Sequence, residues 1–299
     1  MAAAMKLLIT GGTGFVGSAL VESAVDAGHT VVSLSRGTRS RGHGYPVANV
    51  NVDLVRPDGL DDALRGVDTV VHAAGLVREE EGQSFERAHV GATANLIEAC
   101  RSRDVDKIVY LSALGARSGS PSIYLRTKGE AERLIVDSGL SYTIFRPSLI
   151  FGTGDRLISG LLGWLRAVPF VPVFGPDETE LQPIWVGDVA TALVRAATDR
   201  TTDEHVYELG GPVPMKFADL VELLKSTAGK PALSVQIPAF LAAPFVRLSE
   251  MLMDEPPLTV DHLGVLAVGG TCDPNPAAVT FGLRMRSLAD VLPEYGRTA

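Results

Sequence analysis

The stretch TGGTGFVG, residues 10–17, decides how this chain is read. Gly12, Gly14 and Gly17 spell G-x-G-x-x-G, while Gly11, Gly14 and Gly17 spell G-x-x-G-x-x-G. The apolar run KLLIT (6–10) precedes the glycines and reads as a buried strand. Behind them Val16, Leu20, Val21 and Val25 repeat at helical spacing over 15–27, and Gly28 stops the helix. A strand, a glycine turn and a helix in that order make a phosphate cradle. Glycine permits the tight turn and a close approach to a pyrophosphate, and the helix N-terminus offers free N–H groups and a partial positive charge. The stretch therefore predicts a dinucleotide loop. Which glycines it uses, and for which dinucleotide, depends on residues far from it.

The same alternation continues downstream. HTVVSLS (29–35), VANVNVDL (47–54), DTVVHAAG (68–75), KIVYLSA (107–113), SYTIFRPS (141–148) and HVYELGG (205–211) read as strands. Helices are expected near 60–64 and over 83–103 and 123–137. Strands alternating with helices imply right-handed crossovers and a parallel sheet covered on both faces. The fold class is α/β: a Rossmann-type doubly wound parallel sheet with a smaller, mostly helical C-terminal substrate lobe. The expected nucleotide-binding domain is 5–150 plus 181–211, and the smaller lobe is 151–180 plus 212–299. Ligands of such sheets bind at the carboxyl ends of the strands, where every motif below falls.

Bulk properties narrow the classes. A chain of 299 residues with 46% hydrophobic and 21% charged residues has ordinary globular composition. A formal net charge of −8 argues against a nucleic-acid partner, which wants a basic face. Cys100 and Cys272 fit no disulfide or metal framework, and the histidines never approach ligand spacing, so no metal is expected. No apolar run is long enough to span a bilayer, and a cytoplasmic protein, at most peripheral at a membrane, is expected.

The second strand bears on the choice of nucleotide. An NAD site wants Asp or Glu there to accept from the adenosine ribose. Here the strand ends Ser33-Leu34-Ser35-Arg36-Gly37, with Arg39 and Arg41 following and no carboxylate. Ser35 and Arg36 suit a 2′-phosphate, so NADP(H) is preferred over NAD(H). Asp53 and Leu54, at the expected end of the third strand, are placed to meet the adenine amino group, although a turn-forming Asp is an equal reading. Ala73, Ala74 and Gly75 let backbone approach the adenosine ribose and diphosphate. His72 beside them reads as a core histidine.

SIYLRTKGEAE (122–132) puts Tyr124 and Lys128 one turn apart on a helix, projecting from one face. A tyrosine has a pKa near 10, and a nearby ammonium lowers it. The pair can then pass a proton to or from a carbonyl while nicotinamide carries hydride. At this point the chain resembles the short-chain dehydrogenase/reductases, in their extended, epimerase-like branch. The blocks FERAHVGATANLIEAC, YLSALGA, SIYLRTKGEAE, FRPSLIFGTGD, LQPIWVGDVATAL and YELGGP resemble an atypical subgroup similar to the NADPH-binding accessory subunit of respiratory complex I. The resemblance implies the Gly11, Gly14 and Gly17 register, with Thr13, Phe15 and Val16 completing the cofactor loop. It implies Tyr124 as acid/base, Lys128 also bonding the nicotinamide ribose, and Pro147 and Ser148 beside the nicotinamide. It also exposes departures. His89 stands where the branch usually carries an Asn that supports the proton relay, and Ser112 is the available candidate for the catalytic Ser or Thr.

The candidate lid LISGLLGWLRAVPFVPVFG (157–175) and PAFLAAPFVRLSEMLM (238–253) are almost wholly apolar. They admit three readings: a pocket for a small hydrophobic substrate, an exposed patch for a protein partner or membrane surface, or packing within the lobe. Three functions follow: an NADP(H)-dependent oxidoreductase on a small hydrophobic carbonyl or quinone; a silent NADPH-binding structural or assembly protein; and a sugar-nucleotide epimerase or dehydratase. Monomer and homodimer are both compatible with the sequence.

Overall fold

The computed structural model describes residues 4–37, 47–79, 82–173, 180–229, 232–237 and 269–295, with Pro244 and Val246. Arg39, Arg41 and most of 238–253 lie outside the described residues. The chain divides into two compact units: Met1–Pro147, Val186–Leu209 and Asn275–Arg284 form the first, and Ser148–Trp185, Gly210–Pro274 and Met285–Ala299 the second.

The first unit is built on parallel strands. They are β1 (Lys6–Thr10), β2 (Thr30–Ser35), β3 (Val47–Asn51), β4 (Thr69–His72), β5 (Lys107–Leu111) and β6 (Ser141–Pro147), with His205–Leu209 as a seventh. Their spatial order is 3-2-1-4-5-6 followed by His205–Leu209, all in parallel register. This is the order of a doubly wound nucleotide-binding sheet. Helices α1 (Phe15–Asp26), α2 (Leu60–Ala63), α3 (Ala92–Ser102) and α4 (Ile123–Val136) make the crossovers. Near-continuous burial along β1, β4 and β5 explains their unbroken apolar runs, because a central parallel strand is covered on both faces.

Two boundaries differ from expectation. The third strand ends at Asn51, not at residue 54, because the Asp53 carboxylate accepts the Val55 N–H at 3.0 Å and Arg56 N–H bonds the Asp53 carbonyl, turning the chain. The helix expected over 83–103 begins as a π-helical stretch, Glu86–Gly91, before α3. Such a widened turn commonly marks a functional site.

The domain boundaries also shift. Residues 275–284, expected in the smaller lobe, group with the sheet because Phe281 packs edge-on against Phe145 and Tyr207, at centroid distances of 5.1 and 4.9 Å. Residues 181–185, expected with the sheet, belong to the second unit.

The second unit holds β7 (Ile150–Phe151), α5 (Leu157–Ala167), β8 (Phe170–Val173), β9 (Glu180–Leu181), β10 (Ile184–Trp185), β12 (Met215–Lys216), α7 (Phe217–Ala228) and β13 (Leu233–Gln236); the intervening β11 and α6 are His205–Leu209 and Val186–Thr198 of the first unit. Its strands pair two by two: β7 with β10, β9 with β12, and β8 with β13. Leu157, Ile158, Leu161, Leu162 and Leu165 of α5 pack with Leu220, Val221 and Leu224 of α7 into one apolar cluster, which Val246 also joins. Of the three readings of the apolar lid, packing within the lobe accounts for these leucines. No helix among the described residues is long and apolar enough to cross a membrane.

Candidate active site

The glycine loop closes between β1 and α1. Gly11 has φ +72°, and a Cβ there would lie 2.9 Å from the Ala74 Cα. A Cβ on Gly17 would lie 1.9 Å from the Gly11 carbonyl oxygen, and that carbonyl accepts the Gly14 N–H at 2.9 Å. A Cβ on Gly12 would meet the Ser33 Oγ at 2.3 Å. Backbone therefore demands glycine at 11 and 17, whereas residue 12 is restricted by a side chain. Helix α1 starts after Gly14 with no side-chain cap and no acidic residue in its first turn, so its N–H groups are free for an anion. Thr13, Phe15 and Val16 are half-buried around this opening. This cradle fits a dinucleotide pyrophosphate.

The residues expected to meet the adenosine lie around the ends of β2, β3 and β4. Ser35 ends β2 half-buried, and the exposed Arg36 follows it. Asn51 at the end of β3 accepts the Gly37 N–H at 2.9 Å, and Arg36 NH1 donates to the Gln83 side-chain oxygen. Asp53 spends one oxygen on its own turn, and the other is available to a ligand. Leu54 is buried in the core, and Asn95 bonds its carbonyl at 2.7 Å. Ala73, Ala74 and Gly75 follow β4, with the Ala74 N–H donating to Thr10 Oγ1 at 3.0 Å. A Cβ on Gly75 would stand 3.2 Å from His89 Nε2 and 3.3 Å from Lys128 Nζ, so this glycine is the seam between the nucleotide loops and the candidate acid–base pair.

Tyr124 and Lys128 occupy the first turns of α4, whose start is capped by Ser122 Oγ accepting from Leu125 N–H. Lys128 is 5% exposed; its Nζ donates to the Leu111 carbonyl at 2.9 Å and lies 4.9 Å above the Tyr110 ring. Burial lowers its pKa from 10.5 to about 8, with the Glu132 carboxylate opposing the fall. Glu132 is itself clamped by Arg146 through Nε at 3.0 Å and NH2 at 2.6 Å. The Tyr124 ring meets Phe85 and His89 edge-on. Burial pushes its phenol up to about 12. This reverses the sequence expectation that the ammonium lowers the phenol's pKa: the ammonium is bound to a backbone carbonyl beside Tyr110, and desolvation dominates at the phenol.

Ser112 follows β5 directly. Its N–H bonds the Phe145 carbonyl at 2.7 Å, and its Oγ is buried with no partner among the described residues. Lys128 thus reaches the residue adjoining an unsatisfied hydroxyl. Pro147 ends β6 and its carbonyl accepts the Leu114 N–H at 2.8 Å.

Two buried histidines complete the surroundings, and their tautomers follow from their neighbours. Thr127 Oγ1 shares its one proton between the Ile123 and Tyr124 carbonyls, each at 3.0 Å, so it accepts from His89 Nδ1 at 2.9 Å. His89 Nε2 then accepts the Leu76 N–H at 3.1 Å, with the Leu76 carbonyl at the same distance. Thr93 Oγ1 donates to the His89 carbonyl, so His72 Nε2 donates to Thr93 at 3.1 Å and His72 Nδ1 accepts from Thr10 at 2.7 Å. Both rings are neutral: burial and the Lys128 charge lower His72 to about 3 and His89 to about 2. His89 therefore ties the chain after β4 to α4 without offering a titratable proton near neutrality. Gln83, Tyr110, Thr127 and Glu132 all touch this region, and sequence reasoning passed over them. Thr127 and Glu132 had a readable signal, since they lie one turn from Tyr124 and Lys128; Gln83 and Tyr110 had none.

The sequence pattern of the NAD dependent epimerase/dehydratase family matches residues 7–210. The alpha subcomplex subunit 9 of mitochondrial NADH dehydrogenase from Arabidopsis thaliana is 30% identical over 72% of this chain, which spans just over half (56%) of that protein. A 2-alkyl-3-oxoalkanoate reductase of Stenotrophomonas maltophilia is 28% identical over 85% of this chain and 87% of its own. The photosystem II assembly factor Ycf39 of Synechocystis is 27% identical over 97% and 90%. The Thermus thermophilus UDP-glucose 4-epimerase, solved with NAD, superposes with a TM-score of 0.76 over 99% of this chain and all of its own, at 20% identity, a likeness of fold.

Proposed function

The chain belongs to the NAD dependent epimerase/dehydratase family, and on that premise we propose that it is an NADP(H)-dependent oxidoreductase that reduces a small hydrophobic carbonyl or quinone. The observation that carries this reading is the placement of Tyr124 one helical turn from the buried Lys128, whose Nζ bonds the carbonyl of the residue preceding the unpaired Ser112 hydroxyl. Reduction of a carbonyl needs an acid, and a phenol held near 12 retains its proton at neutral pH. Bound in the cradle of Gly11, Gly14 and Gly17, a reduced nicotinamide supplies the hydride. Tyr124 gives its proton to the carbonyl oxygen, Ser112 donates a hydrogen bond to the same oxygen, and Lys128, with donors to spare beyond the Leu111 carbonyl, would hold the nicotinamide ribose. Arg36 favours the 2′-phosphate. The substrate class rests on the reductases among the relatives, whose names specify 2-alkyl-3-oxoalkanoates and ceramide.

The test is reduced-nicotinamide absorbance with NADPH and a panel of hydrophobic ketones, enones and quinones. Oxidation should fall by about 10²–10⁴-fold in Tyr124→Phe, with NADPH affinity retained. A second reading, a nucleotide-binding assembly protein, draws on the respiratory subunit and the photosystem II assembly factor among the relatives. NADPH that binds tightly and is never consumed, with co-purifying respiratory subunits, would favour it.

A further inference from the structure

We propose that Gln83 is a specificity-determining partner of Arg36, holding its guanidinium over the carboxyl end of β1, poised for the 2′-phosphate of an NADP-type dinucleotide. This rests on the cofactor preference proposed above and adds a residue that the glycine motif and the second strand do not contain.

Three observations converge on it. Arg36 follows β2 and Gln83 lies in the connection after β4; β1, which leads into the glycine loop, runs between those two strands. The Arg36 NH1 to Gln83 Oε1 hydrogen bond therefore spans the edge at which the nucleotide enters. Second, both ends are anchored. On one side Asn51 Oδ1 holds the Gly37 N–H, fixing the turn that carries Arg36. On the other, the residues flanking Gln83 are held: the Phe85 N–H bonds Glu79 Oε1 at 2.7 Å, Arg87 NH1 bonds the Gly82 carbonyl at 3.3 Å, and the buried Phe85 stacks on His89. An exposed arginine otherwise loses considerable rotamer freedom on binding, and a fixed acceptor removes part of that cost before the ligand arrives.

The third observation is chemical. A guanidinium has five N–H donors, and Gln83 occupies NH1 alone, leaving Nε and NH2 for a bidentate phosphate contact. Glutamine is neutral, so it orients the cation without cancelling its charge. A glutamate at 83 would orient it equally well, but would neutralise Arg36 and repel the phosphate. The amide thus discriminates where a carboxylate would not.

The experiment measures dissociation constants for NADPH and NADH by nicotinamide fluorescence on the full chain and on Gln83→Ala, Gln83→Glu and Arg36→Ala. Gln83→Ala should lower the NADPH-over-NADH affinity ratio about three- to tenfold, and Gln83→Glu should lower it further, by about tenfold or more. In both, NADH affinity should stay near that of the parent chain, which reports an intact glycine loop. If Arg36→Ala collapses the ratio while both Gln83 variants leave it unchanged, the inference about Gln83 is overturned and the cofactor preference stands. If Arg36→Ala also leaves the ratio unchanged, the preference itself fails and the inference with it.

Discussion

Replacing Lys128 by Met should make the nucleotide-free protein more stable at neutral pH while removing the proposed reductase activity. The ammonium sits 5% exposed, and burial lowers its pKa from 10.5 to about 8. Each pKa unit is about 1.4 kcal/mol, so holding the charged form in the fold costs about 3 kcal/mol relative to the unfolded chain. Methionine fills similar volume without the charge but leaves the Leu111 carbonyl without its 2.9 Å donor, which returns about 1 kcal/mol. The net gain at about pH 7 is then about 2 kcal/mol.

The pH dependence isolates the charge from the packing. Below about 8 both folded and unfolded chains carry the Lys128 proton, and the penalty is constant. Between about 8 and 10.5 the unfolded chain binds more protons, so the parent's stability rises with pH, a rise the Met variant lacks. Urea unfolding of both proteins without nucleotide, at intervals from about pH 7 to about pH 10, should show the variant's advantage shrinking by about 2–3 kcal/mol. Other titrating groups cancel in the difference. A stability difference flat to within about 1 kcal/mol across that range would refute the reasoning.

Glu132 opposes the fall in the Lys128 pKa, so Glu132→Gln should move the alkaline limb of turnover to lower pH; removing the carboxylate from the half-buried Arg146, which keeps the Glu208 charge nearby, should also cost about 1–2 kcal/mol in urea unfolding. Gly17→Ala drives a Cβ to 1.9 Å from the Gly11 oxygen, and should cost about 1–3 kcal/mol by thermal melting and abolish NADPH fluorescence enhancement. Ser112→Ala removes a buried, unpaired hydroxyl; unfolding should show a stabilisation of about 1 kcal/mol, while kcat falls and NADPH affinity does not.

The sheet was legible because its inner strands carry apolar runs bounded by turn residues, as central parallel strands must be apolar on both faces, while the outer VANVN and HVYEL alternate. The register of Gly11, Gly14 and Gly17 was already implied by the resemblance, and the +72° φ at Gly11 and its approach to Ala74 supply the physical reason for it. Asp53 could not be resolved from sequence, since a strand-end acid and a turn acid share one letter. The π-helical Glu86–Gly91 has the same apolar spacing as an α-helix over so short a span, so periodicity could not reveal it. The i, i+4 spacing placed Tyr124 and Lys128 on one face and said nothing of what desolvates each. That information sits in β5, through Tyr110 and the Leu111 carbonyl, which are distant in sequence.

Which polar groups are satisfied separates scaffold from chemistry at this edge of the sheet. His72 and His89 lie beside the candidate site, yet every ring nitrogen has a partner and both rings stay neutral well below physiological pH. They carry the connection between β1, β4, the widened turn and α4. Lys128 and Ser112 stand in the opposite condition: one is charged in a buried place at a cost of about 3 kcal/mol, and the other has a hydroxyl with no acceptor or donor. Neither cost is needed to hold the fold, since a methionine and an alanine would fill the same spaces. Costs of this kind persist where a ligand or a reacting group offsets them. Their concentration after β5, across Gly75 from the glycine loop, is the physical ground for reading the site as chemical rather than as a structural nucleotide seat.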